Sequence, residues 1–177
     1  MNKKTWILFK VSIIISLAIS LLLFSRGIYT EIIKKIDAGD HIGNAVKLVL
    51  VMMTIPIIFQ SLNIKLSLHY LPKGESPSPK FRLWHRIFFY INSIVVLLML
   101  ASIAYRIYLS FPYYKQTFMI RGFKDIRILS LLISIVGYTF NIIATILSLK
   151  ILTFLKRNHS IREEEMLNKI GTQEGLL

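Results

Sequence analysis

The sequence predicts an all-α integral membrane protein whose four transmembrane helices form a bundle, and three observations lead to this prediction. Hydrophobic residues make up 54% of the 177 residues, and the mean hydropathy is +0.59. Residues 128–149 carry no charge and are long enough to cross the hydrocarbon core of about 30 Å as a helix. Three earlier segments have a similar length and composition. A soluble domain of this size would have too much apolar surface to bury, so the pattern favours a membrane.

The four predicted spans cover about residues 5–25, 46–65, 87–106 and 128–150. A cleavable signal peptide is the alternative interpretation of the first span, because a basic start precedes its apolar run. The run continues past Ala18 and Ser20, the small residues at which cleavage would be expected, and this favours a membrane span. Pro56 lies inside the second span and predicts a kink, which either shapes the helix or serves as a hinge or gate. We expect one transmembrane domain over 1–157 and a tail over 158–177.

A short helix lying in the membrane interface is predicted after the first span, within residues 26–45. Isoleucines recur there with helical spacing, and Glu31 and Lys35 form a favourable pair one turn apart. Gly39 is a natural helix stop. A docking surface for a partner protein is the alternative interpretation of the isoleucine face. The isoleucines of this face are Ile28, Ile32, Ile33 and Ile36.

Two further segments outside the spans differ in character from the rest. Residues 66–86 contain Pro72, Gly74 and two more prolines, which predicts an exposed loop. In the tail, Ser160 and Glu163 have the spacing of a helix capping box, which predicts a separate amphipathic helix of roughly ten residues. Such a short helix is marginal alone, so we expect it to rest on the membrane or on a partner.

Small and polar residues recur along one helical face in two of the predicted spans. Spacings of three and four residues place them on a single side of each helix. Small residues let two helix backbones approach closely, and lipid offers hydroxyl and amide groups no hydrogen-bond partner. We therefore expect these faces to pack on other helices. Their members are Ser12, Ser16 and Ser20 in the first span, and Ser130, Ser134, Gly137, Asn141, Thr145 and Ser148 in the fourth.

Three amides lie at similar depths in the predicted spans. Gln60 and Asn92 are each a few residues from the end of a span that faces the 66–86 loop, and Asn141 is about eight residues from the end facing the tail. All three fall in the same half of the bilayer at about 1.5 Å per residue. This predicts an interhelical amide cluster. Its role is either packing or a site for a ligand or ion.

The charge of the chain is strongly positive, with 22 Lys and Arg against 9 Asp and Glu and a net charge of +13. Basic and aromatic residues alternate just before the third span, at Lys80, Arg82, Trp84 and Arg86. Such a mixture can stack on single-stranded nucleic acid. Its position beside a span favours an interfacial belt against anionic lipid headgroups instead. We expect the lipid bilayer as a partner and no nucleic acid.

The residues that most catalytic and metal sites require are missing from the predicted spans. No Asp or Glu lies in any span, which disfavours proton-coupled transporters and pumps. Cysteine is absent, and the four histidines lie outside the spans without metal-ligand spacing. We find no phosphate-binding glycine loop and no nucleophile elbow. The sequence therefore predicts a protein that is not an enzyme and that has no metal ion or cofactor.

Four spans place both termini on the same side of the membrane, and a small excess of Lys and Arg outside the spans on that side favours the cytoplasm. In size and layout the chain resembles small bacterial membrane proteins such as the immunity proteins that protect against pore-forming bacteriocins. This resemblance implies a bacterial cytoplasmic membrane.

The first functional hypothesis is a non-enzymatic protein that binds another membrane protein, or a second copy of itself, through its helices, as a regulator, complex subunit or immunity factor. The alternative is a small channel or carrier subunit with a polar site formed by Gln60, Asn92 and Asn141.

Overall fold

The computed structural model describes residues 3–33, 43–122 and 125–174, and within these ranges the chain is helical without any strand. Five helices organise it. They are α1 (Lys3–Ile28), α2 (Asn44–Lys65), α3 (Pro79–Leu109), α4 (Phe111–Arg121) and α5 (Ile126–Glu174). A π-helical turn, Tyr29–Ile33, extends α1, and a second, Leu66–Tyr70, extends α2 into the short helical segment Leu71–Lys73.

Four of the helical segments are long and apolar enough to cross a membrane. This agrees with the four predicted spans, although each helix continues past the apolar segment from which it was predicted. The four segments are Lys3–Ile28, Val46–Lys73, Pro79–Leu109 and Ile126–Met166.

The predicted loop over residues 66–86 is wrong for most of its length, because helix occupies both of its ends. Gly74 ends the helical extension of α2 with φ of 63°, a left-handed conformation that glycine adopts without steric cost. The side chain of Ser78 caps α3 by accepting a hydrogen bond from Phe81 N at 3.3 Å. Pro79 opens α3, where the missing N–H would have no partner within the helix. Only residues 74–78 are left outside the helices.

The chain after the first span also differs from the prediction of a separate interfacial helix. Residues through Ile33 continue α1 without a break, through the π-helical turn. The remainder of the predicted helix, including Lys35, Ile36 and Gly39, lies outside the described residues. The structure instead has a separate helix between the third and fourth spans, α4, which the sequence did not predict. Its Tyr113 hydroxyl accepts a hydrogen bond from Arg127 Nη1 at 2.7 Å, which joins α4 to the start of α5.

The predicted start of a separate tail helix at Ser160 is wrong. Helix α5 runs over 49 residues from Ile126 to Glu174, so Ser160 lies inside it and the boundary at 157/158 is not a break. The i,i+4 pair of His159 Nδ1 and Glu163 Oε2, 3.3 Å apart, lies on the surface of this continuous helix. The two residues with the capping-box spacing, Ser160 and Glu163, therefore lie within a helix and do not mark the start of one.

Continuity of α5 past the membrane gives a distance that can be measured. The protein has no cysteine, so Thr153→Cys/Met166→Cys, at two exposed positions, can be spin-labelled selectively. An uninterrupted helix separates their α-carbons by about 20 Å, at about 1.5 Å per residue. Double electron–electron resonance in detergent micelles should give one narrow distribution near that value. A broad distribution would contradict the continuous helix, and Val136→Cys/Leu149→Cys, which are also 13 residues apart, provide a control inside the apolar segment.

Each of the four long helices contacts at least two of the others. Helix α1 packs on α5 and on α2, α2 packs on α3, and α3 packs on α5. The principal apolar core lies toward the end of these helices that carries the chain termini. Its buried members are Phe9, Ile13, Leu66, Phe81, Ala144, Leu147, Ile151 and Leu155.

Helices α1 and α5 approach each other closely at Gly137. A β-carbon at this position would overlap Cγ2 of Ile19 and lie 3.0 Å from Ile19 Cβ. Only glycine fits this backbone separation without a shift of one helix. Large apolar side chains such as Ile14, Leu48 and Leu97 remain exposed on the outer surface, as expected for helices that contact lipid.

Candidate functional site

Buried polar side chains at the helix interfaces form the candidate site, and the first group joins α3 to α5. Asn92 Nδ2 donates to Asn141 Oδ1 at 2.8 Å and to Thr145 Oγ1 at 3.3 Å. The Thr145 hydroxyl donates in turn to Asn141 O at 2.7 Å. All three side chains are buried. This contact between distant parts of the chain is the interhelical amide pair that the common depth of Asn92 and Asn141 predicted.

Gln60 belongs to a second group, so the structure divides the predicted three-amide cluster. Asn63 Nδ2 donates to Gln60 Oε1 at 3.2 Å, and Asn63 Oδ1 lies 3.0 Å from His85 Nε2. This second group joins α2 to α3 and is buried. We call it the histidine network, formed by Gln60, Asn63 and His85.

Sequence reasoning missed Asn63 and His85, although both left a signal. Asn63 follows Gln60 by three residues and therefore lies on the same helical face. His85 precedes Asn92 by seven residues, two helical turns, which also places both on one face of α3. Because His85 precedes the predicted third span, it was assigned to the 66–86 loop. The belt residues Lys80, Arg82, Trp84 and Arg86 are exposed, as expected for headgroup contact, whereas His85 is fully buried.

Most residues of the two small-residue stripes are buried at contacts between helices of this chain. Ser12 and Ser16 of α1 and the four C-terminal members of the α5 stripe, Gly137 to Ser148, are buried, and α1 and α5 pack on each other. Ser20, Ser130 and Ser134 are half-buried toward the opposite end. Most of this surface is therefore used for packing between helices of the same chain. Pro56 is also buried, inside α2.

Several buried polar atoms at these interfaces have no hydrogen-bond partner within the described part of the chain. Leaving such a donor or acceptor without a partner costs about 1–3 kcal/mol in a protein interior. A hydrocarbon environment offers no water to compensate. The unpartnered atoms are Ser12 Oγ, Ser16 Oγ, Gln60 Nε2, Ser67 Oγ, His85 Nδ1, Asn92 Oδ1 and Asn141 Nδ2.

A cavity of about 180 Å³ between α3 and α5 lies beside the Asn92–Asn141 pair. Both amides line it, and each has one unpartnered polar atom, an acceptor on Asn92 and a donor on Asn141. The rim includes Leu97 and Ile146, whose exposed fractions are 63% and 52%. The cavity therefore opens on the outer surface of the helices rather than toward their centre.

The described residues include no group of three or more His, Asp or Glu side chains close enough to hold a metal ion. Comparison of the chain with models of protein families, with curated proteins and with solved structures gives no match. The class of protein is therefore defined by its own helices: a helical chain with four segments able to cross a membrane, as in a multi-pass membrane protein.

Proposed function

We propose that this protein is a non-enzymatic membrane protein that binds a transmembrane helix of another membrane protein, as a regulator, a complex subunit or an immunity factor. Its four long helices cross the membrane as a bundle, with both termini in the cytoplasm of a bacterial cell. The interfacial belt at the start of α3 contacts anionic headgroups. Binding uses the surface between α3 and α5.

The observation that carries this proposal is the laterally open cavity beside Asn92 and Asn141. Its lining includes two unpartnered amide atoms, one acceptor and one donor, which are buried beneath the exposed apolar rim. Acyl chains have no group that bonds to either atom, whereas an amide or hydroxyl side chain on a neighbouring helix bonds to both. A polar residue of a partner helix, inserted between Leu97 and Ile146, would therefore satisfy both atoms.

The buried stripes restrict where such a partner binds. Gly137 of the α5 stripe packs against Ile19 of α1, and Asn141 and Thr145 accept hydrogen bonds from Asn92 of α3. A partner that required this face would have to displace α1 or α3. The α3–α5 surface requires no such rearrangement, because its rim is already exposed. The binding surface therefore lies at the edge of the polar stripe, where Asn141 reaches the cavity.

Site-specific photocrosslinking in the native membrane tests this proposal. A benzoylphenylalanine at Leu97 or Ile146 should capture a distinct membrane protein that mass spectrometry identifies. The same residue at Ile14, which is 64% exposed on α1, should not capture it. Equal capture from all three positions, or from none, would contradict a binding surface between α3 and α5.

Asn141→Leu should weaken capture of that protein from Leu97 by about 3-fold to 20-fold, because interhelical hydrogen bonds in membranes contribute about 0.6–1.7 kcal/mol. The matched control is Thr139→Leu on the same helix, since Thr139 is exposed and its hydroxyl bonds only to Ile135 O of α5. Capture should be unchanged in the control. Equal losses in the two variants would indicate a general effect on α5.

The second candidate function is a small channel or carrier subunit, and the histidine network favours it. Gln60 Nε2 and His85 Nδ1 are buried donor or acceptor sites without a partner among the described residues. A solute passing Gln60, Asn92 and Asn141 would bond in turn to the unpartnered atom of each amide, with Pro56 as hinge. Reconstituted protein should then move an ion or small solute across liposomes, and Asn141→Leu should abolish that flux. Flux at the level of empty liposomes would exclude this function.

A further inference from the structure

A second cavity, of about 460 Å³, lies at the end of the helices opposite to the chain termini. It is formed where the end of α1, the start of α2, the end of α3 and the start of α5 meet. One wall is apolar and includes Val49 and Leu50 of α2, and Ser130 and Ser134 of α5 form a polar wall. The cavity thus joins an apolar surface to a polar one at the level where helices leave the hydrocarbon.

Two arginines from different helices line this cavity. Arg26 lies in the last turn of α1 and Arg106 in the last turn of α3. The helix dipole favours each arginine singly at such a position, but it does not account for both at one cavity. Neither side chain forms an ion pair or hydrogen bond with a described residue, and no carboxylate among the described side chains lines the cavity. The result is a concentration of positive charge that no described anion of the chain neutralises.

Of the three hydroxyl groups in the lining, that of Ser130 forms no hydrogen bond with a described residue, whereas those of Thr30 and Ser134 do. Thr30 Oγ1 donates to Arg26 O at 2.9 Å, and Ser134 Oγ donates to Ser130 O at 2.8 Å. Both hydroxyl protons are therefore already used inside their own helices. Hydrogen bonds to a ligand in the cavity come chiefly from the two guanidinium groups, whose planar arrangement of donors suits phosphate oxygens.

We propose that this cavity binds the phosphate group of an anionic phospholipid, with the phosphate between Arg26 and Arg106 and an acyl chain along Val49 and Leu50. The apolar wall argues for a lipid rather than a free phosphate ion, because it offers an inorganic anion nothing. The position at the helix ends is the level of the headgroups. This site lies at the opposite end of α3 from the belt formed by Lys80, Arg82, Trp84 and Arg86, and it does not depend on the proposed binding of a partner helix.

Native mass spectrometry of the full chain, titrated with dioleoyl phosphatidylglycerol or dioleoyl phosphatidylcholine, tests the proposal. One phosphatidylglycerol should bind more tightly than the rest and more tightly than phosphatidylcholine. Arg26→Gln/Arg106→Gln should weaken that first binding event by at least about tenfold, because two charge-assisted hydrogen-bonding groups are lost. The matched control, Lys156→Gln/Arg157→Gln, changes the net charge equally at two exposed positions of α5 far from the cavity and should leave the first binding event unchanged.

Two additional measurements separate the lipid site from general charge attraction. Val49→Trp fills the cavity while both arginines remain, so it should also weaken phosphatidylglycerol binding. This variant tests the proposal even if the double arginine variant does not fold. Millimolar inorganic phosphate should not displace the lipid. Equal weakening in the Arg26→Gln/Arg106→Gln variant and in its control, unchanged binding in Val49→Trp, or full displacement by inorganic phosphate would each overturn the proposal.

Discussion

Gly137→Leu is expected to prevent assembly of the native fold, and Gly137→Ala is expected to destabilise it by about 1–3 kcal/mol. A β-carbon on Gly137 would overlap Cγ2 of Ile19 and lie 3.0 Å from Ile19 Cβ. The position of Ile19 Cβ is fixed by the backbone, so no rotamer change moves it away. Helices α1 and α5 would have to separate, which would open the contact that buries Ser12, Ser16 and the α5 stripe. Thermal unfolding in detergent, followed by circular dichroism, measures the loss.

Two control variants make this prediction specific. Gly43→Ala introduces a β-carbon with no atom within 4 Å and should leave the unfolding midpoint unchanged. Ile19→Ala removes Cγ2 and should restore part of the stability of Gly137→Ala, giving a favourable coupling energy between the two positions. An unaltered midpoint in Gly137→Leu would show that α1 and α5 do not approach each other at this residue.

Asn63→Leu is expected to be the most damaging single substitution in the histidine network, at about 2 kcal/mol. Asn63 is the middle member, so its removal leaves both Gln60 Oε1 and His85 Nε2 without their bonds. Gln60→Leu and His85→Leu each remove one bond and should cost less. Unfolding in mixed micelles with increasing denaturing detergent measures the difference in free energy.

The control for the histidine network lies on the same helix. Ser61 is exposed, and its hydroxyl bonds to Ile57 O within α2, so Ser61→Ala should have little effect. The double variant Asn63→Leu/His85→Leu should cost less than the sum of the single variants, because both variants remove the same hydrogen bond. Additive costs would contradict a direct bond between Asn63 and His85.

The four spans were predictable because a bilayer selects apolar segments, and the hydropathy of the sequence reveals them. The ends of the helices were not predictable in this way. The first and third spans were predicted to begin at about 5 and 87, and their helices begin at Lys3 and Pro79. Residues between an apolar segment and a helix end are mixed in character, so no apolar run marks them. The same reason explains α4, whose mixed sequence lacks the regular spacing from which helices are predicted.

The polar site was predictable where one residue type stands out in an apolar span, and less so elsewhere. Asn92 and Asn141 were conspicuous among apolar neighbours, and they bond to each other. His85 stands among basic and aromatic residues, and only its two-turn spacing from Asn92 distinguishes it. Both cavities were beyond sequence reasoning, because they depend on how the helices pack. Nothing in the positions of Arg26 and Arg106 along the sequence indicates that they line the same cavity.

The length of α5 has a mechanical consequence. A helix of 49 residues measures about 73 Å, while a bilayer with its headgroups is about 40–45 Å thick. About 30 Å of this helical rod therefore exceeds the length that one membrane crossing requires. Tilting the rod by about 10° at Asn141 would displace its far end at Glu174 by about 9 Å, since these residues are about 50 Å apart along the axis. A small tilt of α5 beside the buried amides would therefore become a large displacement at its far end.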